Sequence, residues 1–325
     1  MRVLVTGGAG YIGSVIVEEL IGTGHTAIVY DSLAKGHRAA LHPDAIFVQG
    51  DTRDEERLRR VLIDQQVEAV IHMAAYIQVE ESVAWPERYF DNNVSGTIHL
   101  LKAMIGAGVR RLVFSSTAAL YGNPERLPIA ETDPTRPTNP YGEAKLACER
   151  MFSWISQAHG MICVSLRYFN AAGATERNGE VHDPETHLIP LVLHAAWEGC
   201  PINIFGTDYP TSDGTGVRDY IHVADLARAH ILALPLSEPG MHIYNVGNGT
   251  GYSVRQVIEA ARRVTGRSLR VREMPRRPGD PAELVASSAK IRQELGWEPR
   301  YPEIERIVES AWRWKLAHPY GYEEV

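Results

Sequence analysis

Short apolar runs alternate with stretches of helical period through the first half of the chain. Val3 to Thr6, Thr26 to Tyr30, Ile46 to Gln49, Ala69 to His72, Arg111 to Ser115 and Ile162 to Tyr168 read as buried strands. Between them, Ile12 to Ile21, Asp54 to Leu62 and Glu87 to Ala107 read as helices, the last with a stripe of Val94, Ile98, Leu101 and Ile105. Asn139 followed by Pro140 predicts a further helix start, with Asn as N-cap and Pro at the first helical position. Strand and helix in alternation predict an α/β fold: a doubly wound parallel sheet with helices on both faces.

The pattern changes after Asn170. Residues 171–187 and Gly206 to Gly216 are rich in Gly and acidic or amide residues and read as loops. Ser253-Val254-Arg255-Gln256 is a capping-box pattern that opens a helix to Thr265. Arg272 to Pro281 reads as a basic Pro/Gly loop, and the C-terminal stretch with Trp312 and Trp314 as helical. The expected division is residues 1–170 and a smaller α/β domain over 171–325, with the chain returning to the first part around 218–245.

Composition narrows the class. The chain of 325 residues is 44% apolar and 22% charged, enough to bury a sizeable core and against disorder. A formal net charge of −7 speaks against a general nucleic-acid binder, yet a few placed arginines can still hold an anionic ligand. Cys148, Cys163 and Cys200 are widely spaced, so neither a disulfide framework nor a metal site is expected. No apolar run reaches membrane-spanning length and no signal-peptide pattern precedes the first strand, so the expected compartment is the cytoplasm, with no membrane partner.

Gly8-Ala9-Gly10-Tyr11-Ile12-Gly13 fits G-x-G-x-x-G, overlapped by the spacing of Gly7, Gly10 and Gly13. It follows a predicted strand and opens a predicted helix, the context that a dinucleotide-binding (Rossmann) loop requires. Small residues let the backbone approach a pyrophosphate, and the helix N-terminus supplies N–H donors. Asp31 ends the second strand, where a carboxylate accepts the adenosine ribose hydroxyls and repels a 2′-phosphate. That favours NAD over NADP, although Lys35 and Arg38 lie nearby. Asp51 is placed either to touch the adenine or to make a turn.

Tyr141 and Lys145 stand at i and i+4 of one predicted helix and share a face. A phenol ordinarily titrates near pH ~10, and a neighbouring ammonium lowers that value. Tyr141 can then exchange a proton with a substrate hydroxyl while a nicotinamide exchanges a hydride with the same carbon. Alone, such a pair is equally a surface feature; behind a dinucleotide loop it points to catalysis. Ser115-Ser116-Thr117 ends a predicted strand where open sheets place their ligands, and offers either a hydroxyl to the reacting oxygen or a small polar turn.

Thr6 to Gly13, Ser115 to Gly122 and Tyr141 to Lys145 together resemble the extended short-chain dehydrogenase/reductase family. Asp91-Asn92-Asn93-Val94, Arg167-Tyr168-Phe169-Asn170, the Ile204 to Asp225 block, Arg276-Arg277-Pro278-Gly279-Asp280 and His318-Pro319 with Gly321-Tyr322 carry the likeness along the whole chain. They narrow it to the UDP-hexose 4-epimerases of that family. The resemblance implies NAD contacts at Gly7, Gly10, Tyr11, Ile12, Gly13, Asp31, Ser32, Leu33, Asp51, Thr52, Met73, Ala74, Ala75, Asn92, Ser115, Tyr141, Lys145 and Phe169. It implies Tyr141 as base, Lys145 as its activator and ribose ligand, and Thr117 as hydroxyl helper where serine is common. Thr117, Asn170, His187, Leu188, Phe205, Arg218, Arg277 and Asp280 would hold a UDP-hexose, His187 standing where some relatives carry Asn. Leu284 falls at the family's sugar-pocket gate, between small residues that admit N-acetylhexosamines and aromatics that exclude them. A homodimer through the Glu87 to Ala107 and Tyr141 to Gln157 helices is also implied.

The implied activity is a redox-neutral inversion at C4 through a 4-keto sugar, with NAD retained as a prosthetic group. A nucleotide-sugar 4,6-dehydratase would carry a carboxyl after the active-site Thr, where this chain has Ala118-Ala119. The same absence disfavours a UDP-uronate decarboxylase. Alternatives are a 4-epimerase for UDP-N-acetylhexosamine, UDP-uronate or UDP-pentose, or a silent NAD-binding regulator, the last opposed by intact Tyr141, Lys145 and Thr117.

Overall fold

A computed structural model describes residues 1–277 and 280–323. Its first strands are β1 (Arg2–Thr6), β2 (Thr26–Asp31), β3 (Ile46–Gln49), β4 (Ala69–His72), β5 (Arg111–Thr117) and β6 (Ile162–Tyr168). There follow β7 (Asn170–Ala172), β8 (Ile202–Phe205), β9 (Val217–His222), β10 (Gly240–Val246), β11 (Gly251–Ser253), β12 (Val271–Met274) and β13 (Glu283–Leu284). A seven-stranded sheet runs in the order β10-β6-β5-β4-β1-β2-β3, with every pair parallel.

Successive side chains of a strand point to opposite faces. Val3 and Val5 of β1, Val113 of β5 and Val164 of β6 lie in the core shared with the Tyr11–Gly22 and Val223–Ala233 helices. Leu4, Leu112, Phe114 and Cys163 lie in the opposite core with the Glu55–Asp64, Gly96–Ala107 and Pro140–His159 helices. With both faces covered, the strands read as apolar runs rather than alternations. Strand order reverses at β1, between β4 and β2, which opens a crevice at the carboxyl ends of β1 and β4.

Beyond β6 the chain builds smaller layers. β9 pairs in parallel with β7 and β13 and antiparallel with β11, while β8 and β12 pair in parallel. Ile189, Val192, Ile202, Val257, Ile258, Ile307 and Trp312 form their core. The Val223–Ala233 helix then joins the first core, and β10 closes the large sheet against β6. Both arms of the Ser253 capping box are made: Gln256 N–H donates to Ser253 Oγ at 3.1 Å, and Ser253 N–H to Gln256 Oε1 at 2.8 Å. Among the described residues, no helix is long and apolar enough to cross a membrane.

Two expectations are corrected. The single helix expected over Glu87 to Ala107 is a Pro86–Tyr89 helix, a π-helical turn over Phe90–Ser95 and a Gly96–Ala107 helix. The basic loop expected from Arg272 begins instead as strand β12, whose register is supplied by the distant β8.

Phe152 is fully buried, with its ring 4.9 Å from that of Phe114 in edge contact. Phe152→Ala is expected to destabilise the fold by about 3–5 kcal/mol, read as a lower urea midpoint. A loss below about 1 kcal/mol would show that the site collapses without a cavity.

Candidate active site

β1 ends in a turn at Gly7, whose φ is +70°. A Cβ on Gly7 would stand 2.6 Å from Ala74 N and 3.0 Å from Met73 C, so Met73 and Ala74 after β4 lie directly against the turn, with Ala75 next in the chain. A Cβ on Gly13 would fall 2.2 Å from Gly7 O, so the first turn of the Tyr11–Gly22 helix sits tight on the loop. Gly10 differs: a Cβ there would meet Gly7 O only at 3.4 Å. Its missing side chain leaves space ahead of the helix, where the N–H groups of Tyr11, Ile12 and Gly13 precede any intrahelical acceptor. These residues fit a pyrophosphate. The Tyr11 hydroxyl points elsewhere and donates to Gly173 O at 2.6 Å.

Asp31 is buried at the end of β2. Its Oδ2 accepts from Ala9 N–H at 3.0 Å and its Oδ1 from Leu33 N–H at 2.8 Å. Burial pushes its carboxyl up, and the two N–H groups oppose that. Asp31 therefore ties the glycine loop to the Ser32-Leu33 turn, where Leu33 has φ +62°. Asp51 is already engaged: Arg53 Nη2 donates to it at 2.7 Å and Nη1 to Asp91 at the same distance. The Arg53 hydrogen bond holds the Asp51 carboxyl below its usual range, and an adenine contact by this side chain would compete with that guanidinium. Thr52 beside it is buried under Gly96, where a Cβ would stand 2.7 Å from Thr52 Oγ1.

The π-helical turn presents Asn92 and Asn93 to the loop after β4. Asn92 Nδ2 donates to Asn93 Oδ1 at 2.9 Å, and Asn93 clamps Tyr76 through its N–H at 2.9 Å and carbonyl at 3.0 Å. Behind this loop runs a polar chain that sequence reasoning missed. Thr6 Oγ1 meets His72 Nδ1 at 2.6 Å, His72 Nε2 meets Thr97 Oγ1 at 2.9 Å, and Thr97 donates to Asn93 O at 2.6 Å. Burial, with the Lys145 charge, lowers His72 to about 3, so the ring is neutral. The only signal was a histidine inside an otherwise apolar strand.

Asn139 Oδ1 caps the Pro140–His159 helix by accepting from Gly142 N–H at 2.9 Å. A Cβ on Gly142 would stand 2.9 Å from Ala119 O, so the first helical turn rests on the turn after β5. Tyr141 is thereby buried beside Thr117. Thr117 Oγ1 accepts from Ala119 N–H at 3.1 Å, and its hydroxyl pulls the Tyr141 phenol down. Burial dominates and pushes Tyr141 up to about 12. The expected lowering by Lys145 is not found, because Lys145 Nζ donates to Ser115 O at 2.7 Å and lies 4.7 Å over the Phe114 ring. Burial brings Lys145 itself down to about 8. Ser115 Oγ shares a hydrogen bond with Tyr168, whose phenol is raised by burial and by Tyr141 nearby. Tyr168 was quoted in a motif and not singled out.

The remaining candidates lie on the smaller layers and the loops around them. Asn170 Nδ2 donates to Asp219 O at 3.2 Å. Arg218 of β9 lies 3.8 Å from Asp280, and the Arg277 guanidinium stacks 4.1 Å over the Phe205 ring. Pro278 and Gly279 of the expected motif lie outside the described residues. Leu284 packs on a cluster that includes Ala118, Leu146 and Phe169, next to Thr117. Leu188 opens the Leu188–Glu198 helix. His187 turns Nδ1 toward Glu180 at 2.8 Å and Glu185 at 3.1 Å, which leaves Nε2 as its atom for a ligand.

A glycine loop, a buried Tyr/Lys pair and a strand-end hydroxyl at one crevice define a dinucleotide-dependent enzyme acting on a hydroxyl-bearing carbon. Residues 3–247 match the NAD dependent epimerase/dehydratase family, and the chain belongs to that family. It is 53% identical to a UDP-glucose 4-epimerase of Halalkalibacterium halodurans, over 99% of this chain and 98% of that protein. It superposes with TM-score 0.93 on the UDP-glucose 4-epimerase of Brucella ovis in complex with NAD, at 44% identity over 96% of this chain and 97% of that one. The UDP-glucose 4-epimerase of Bifidobacterium longum in complex with NAD⁺ and UDP also superposes with TM-score 0.93, at 38% identity over 99% and 100% of the two chains.

Gly13→Ala should keep the fold and weaken NAD retention at least about tenfold, roughly 1.4 kcal/mol. NAD released from purified protein on denaturation measures this, and wild-type content would refute the close seating of the loop.

Proposed function

We propose that this chain interconverts UDP-glucose and UDP-galactose by inverting C4 of the hexose. The observation that carries the reading is the buried Tyr141 phenol beside the Thr117 hydroxyl, at the carboxyl end of β5. When bound, NAD⁺ supplies a hydride acceptor that makes oxidation at C4 reversible. Thr117 holds O4 by hydrogen bonding, and Tyr141 takes its proton as the carbon is oxidised. Because burial keeps Tyr141 protonated in the free protein, ligand charge must help to lower it before it can act as base. Lys145, held on the Ser115 carbonyl, is the residue that would contact the nicotinamide ribose. The 4-keto sugar then turns over in the pocket, C4 regains the hydride on its opposite face, and Tyr141 returns the proton to O4.

In this reading residues 1–170, with the return at 218–245, hold NAD, and most of 171–325 grips the UDP-sugar. Arg218 and Arg277 offer forked donors suited to a diphosphate, and Asp280 an acceptor for ribose or uracil. His187 offers Nε2, and Asn170, Leu188 and Phe205 are the further expected contacts of the UDP-sugar. Strong contacts to UDP and few to the hexose permit the turn. Ala118-Ala119, without a carboxyl, supports epimerisation over dehydration. Leu284 supports a preference for UDP-glucose and UDP-galactose over their N-acetylated forms.

The decisive experiment incubates purified protein, with no added cofactor, with a panel of UDP-sugars and identifies products by NMR. UDP-galactose should yield UDP-glucose, and no C4 product from NAD-loaded protein would overturn the reading. Tyr141→Phe should lower kcat about 10²–10⁴-fold while NAD stays bound. Near wild-type turnover would remove Tyr141 from the role of base.

We further propose a homodimer in the cytoplasm, the compartment suited to an enzyme that uses NAD and UDP-sugars. Its support is an apolar set on and beside the expected helices: Trp154 is 72% exposed and Phe90 40%, and just ahead of Glu87 Trp85 is 55% and Val83 63% exposed. Trp154→Glu is expected to yield monomers by sedimentation, and an unchanged dimer would place the interface elsewhere.

A further inference from the structure

The loop between β7 and the Leu188–Glu198 helix gathers four metal-ligating side chains. One ligand atom from each of Glu180, His182, Glu185 and His187 lies within 4.8 Å of all the others. Nδ1 of His187 is 2.8 Å from a Glu180 oxygen and 3.1 Å from a Glu185 oxygen. Nδ1 of His182 is 3.3 Å and 3.6 Å from oxygens of the same two residues. Zinc bonds of about 2.0–2.2 Å set tetrahedral ligand atoms about 3.3–3.6 Å apart. The nitrogen-to-oxygen edges of the cluster already approximate that tetrahedron.

Hydrogen bonding within the loop does not complete the site. His182 Nδ1 is shut off from solvent and has no hydrogen-bond partner. The Glu180 side chain is only 7% exposed, so its charge faces the cluster rather than water. Two imidazoles and two carboxylates form a donor set that suits zinc. A cavity of about 390 Å³, lined by Glu180, His182 and Glu185 together with Trp314 and Tyr320, reaches the cluster and provides access for an ion.

We propose that this chain binds one divalent transition-metal ion, zinc by its donor set, at Glu180, His182, Glu185 and His187. The ion staples a cover over the dinucleotide loops. Asp183 O accepts from Lys35 Nζ at 2.9 Å, Pro184 O from Gln78 Nε2 at 3.1 Å, and Val181 O from His37 at 3.4 Å. The His182 ring also meets the Tyr11 ring edge-on at 6.3 Å. The site does not rest on the proposed reaction, and neither readout below depends on turnover.

The test uses NAD-loaded full-length protein, stripped with a chelator and titrated with Co²⁺ and then Zn²⁺. One Co²⁺ per chain should bind with the intense visible absorption of a tetrahedral site, and one equivalent of Zn²⁺ should displace it. Zn²⁺ should also raise the thermal midpoint by mass action on the folded state. His182→Gln and Glu185→Gln should each weaken Co²⁺ binding by more than the 10–100-fold typical of losing an outer partner. Absence of the tetrahedral spectrum in the wild-type protein would overturn the proposal. Binding unchanged in both variants would do the same.

Discussion

Glu149 lies in the middle of the Pro140–His159 helix, on the side turned to the sheet, and its carboxylate is closed to solvent. It accepts from the Ser116 hydroxyl of β5 at 2.6 Å, from the Ser165 hydroxyl of β6 at 2.6 Å and from Arg167 Nη2 of β6 at 2.6 Å. A buried carboxylate stripped of such partners costs several kcal/mol. The helix therefore has one seat, where all three donors reach the same acid. That seat places Tyr141 beside Thr117 and Lys145 beneath the Ser115 carbonyl. Arg167 extends the constraint, since it donates to Tyr121 at 2.8 Å and Tyr121 donates to Asn245 of β10 at 2.7 Å. The turn after β5, the edge strand and the Pro140–His159 helix are thus fixed by one charge pair.

Asp219 plays the matching part in the smaller layers. Its carboxylate accepts from the N–H groups of Asn248, Gly249 and Ala286 at 2.8, 2.9 and 3.1 Å. Burial raises it to about 6 against the pull of those three donors. Its neighbour Arg218 pairs in register with Leu284 of β13 beside that anchor. One anchor orients Tyr141 and Lys145, and the other holds β9 against the turns before β11 and after β13.

Much of this was legible in the chain because it depends on local pattern. β3, β4 and β6 have the boundaries that their apolar runs announce, and the glycine loop and Tyr141-x-x-x-Lys145 are short-range spacings. What escaped depends on partners far away in sequence. The apolar stripe of Glu87 to Ala107 continues through a π-helical turn, because one extra residue shifts the face without interrupting the hydrophobics. β12 exists only because β8 offers it an edge. His72 looked like any strand residue until Thr6 and Thr97 came to its two nitrogens. Glu180, His182 and Glu185 read as loop composition and His187 as a UDP-hexose contact, since nothing in a linear pattern brings four ligand atoms to one point. The acidity of Tyr141 was misjudged for a related reason: i and i+4 share a face, but the ammonium went to a strand carbonyl.

The position of β10 has a consequence for how the molecule comes into being. β6 lies next to β10 in the sheet, yet β7, β8 and β9 are made between them. While the chain is still emerging from the ribosome, β6 presents an open edge of unpaired N–H and C=O groups, the kind of edge that other chains can join. The first part of the protein can gather its helices early but cannot seal its sheet until the excursion through the small layers has been synthesised and folded back. The interval between those events is the period in which a nascent chain is most exposed to aggregation.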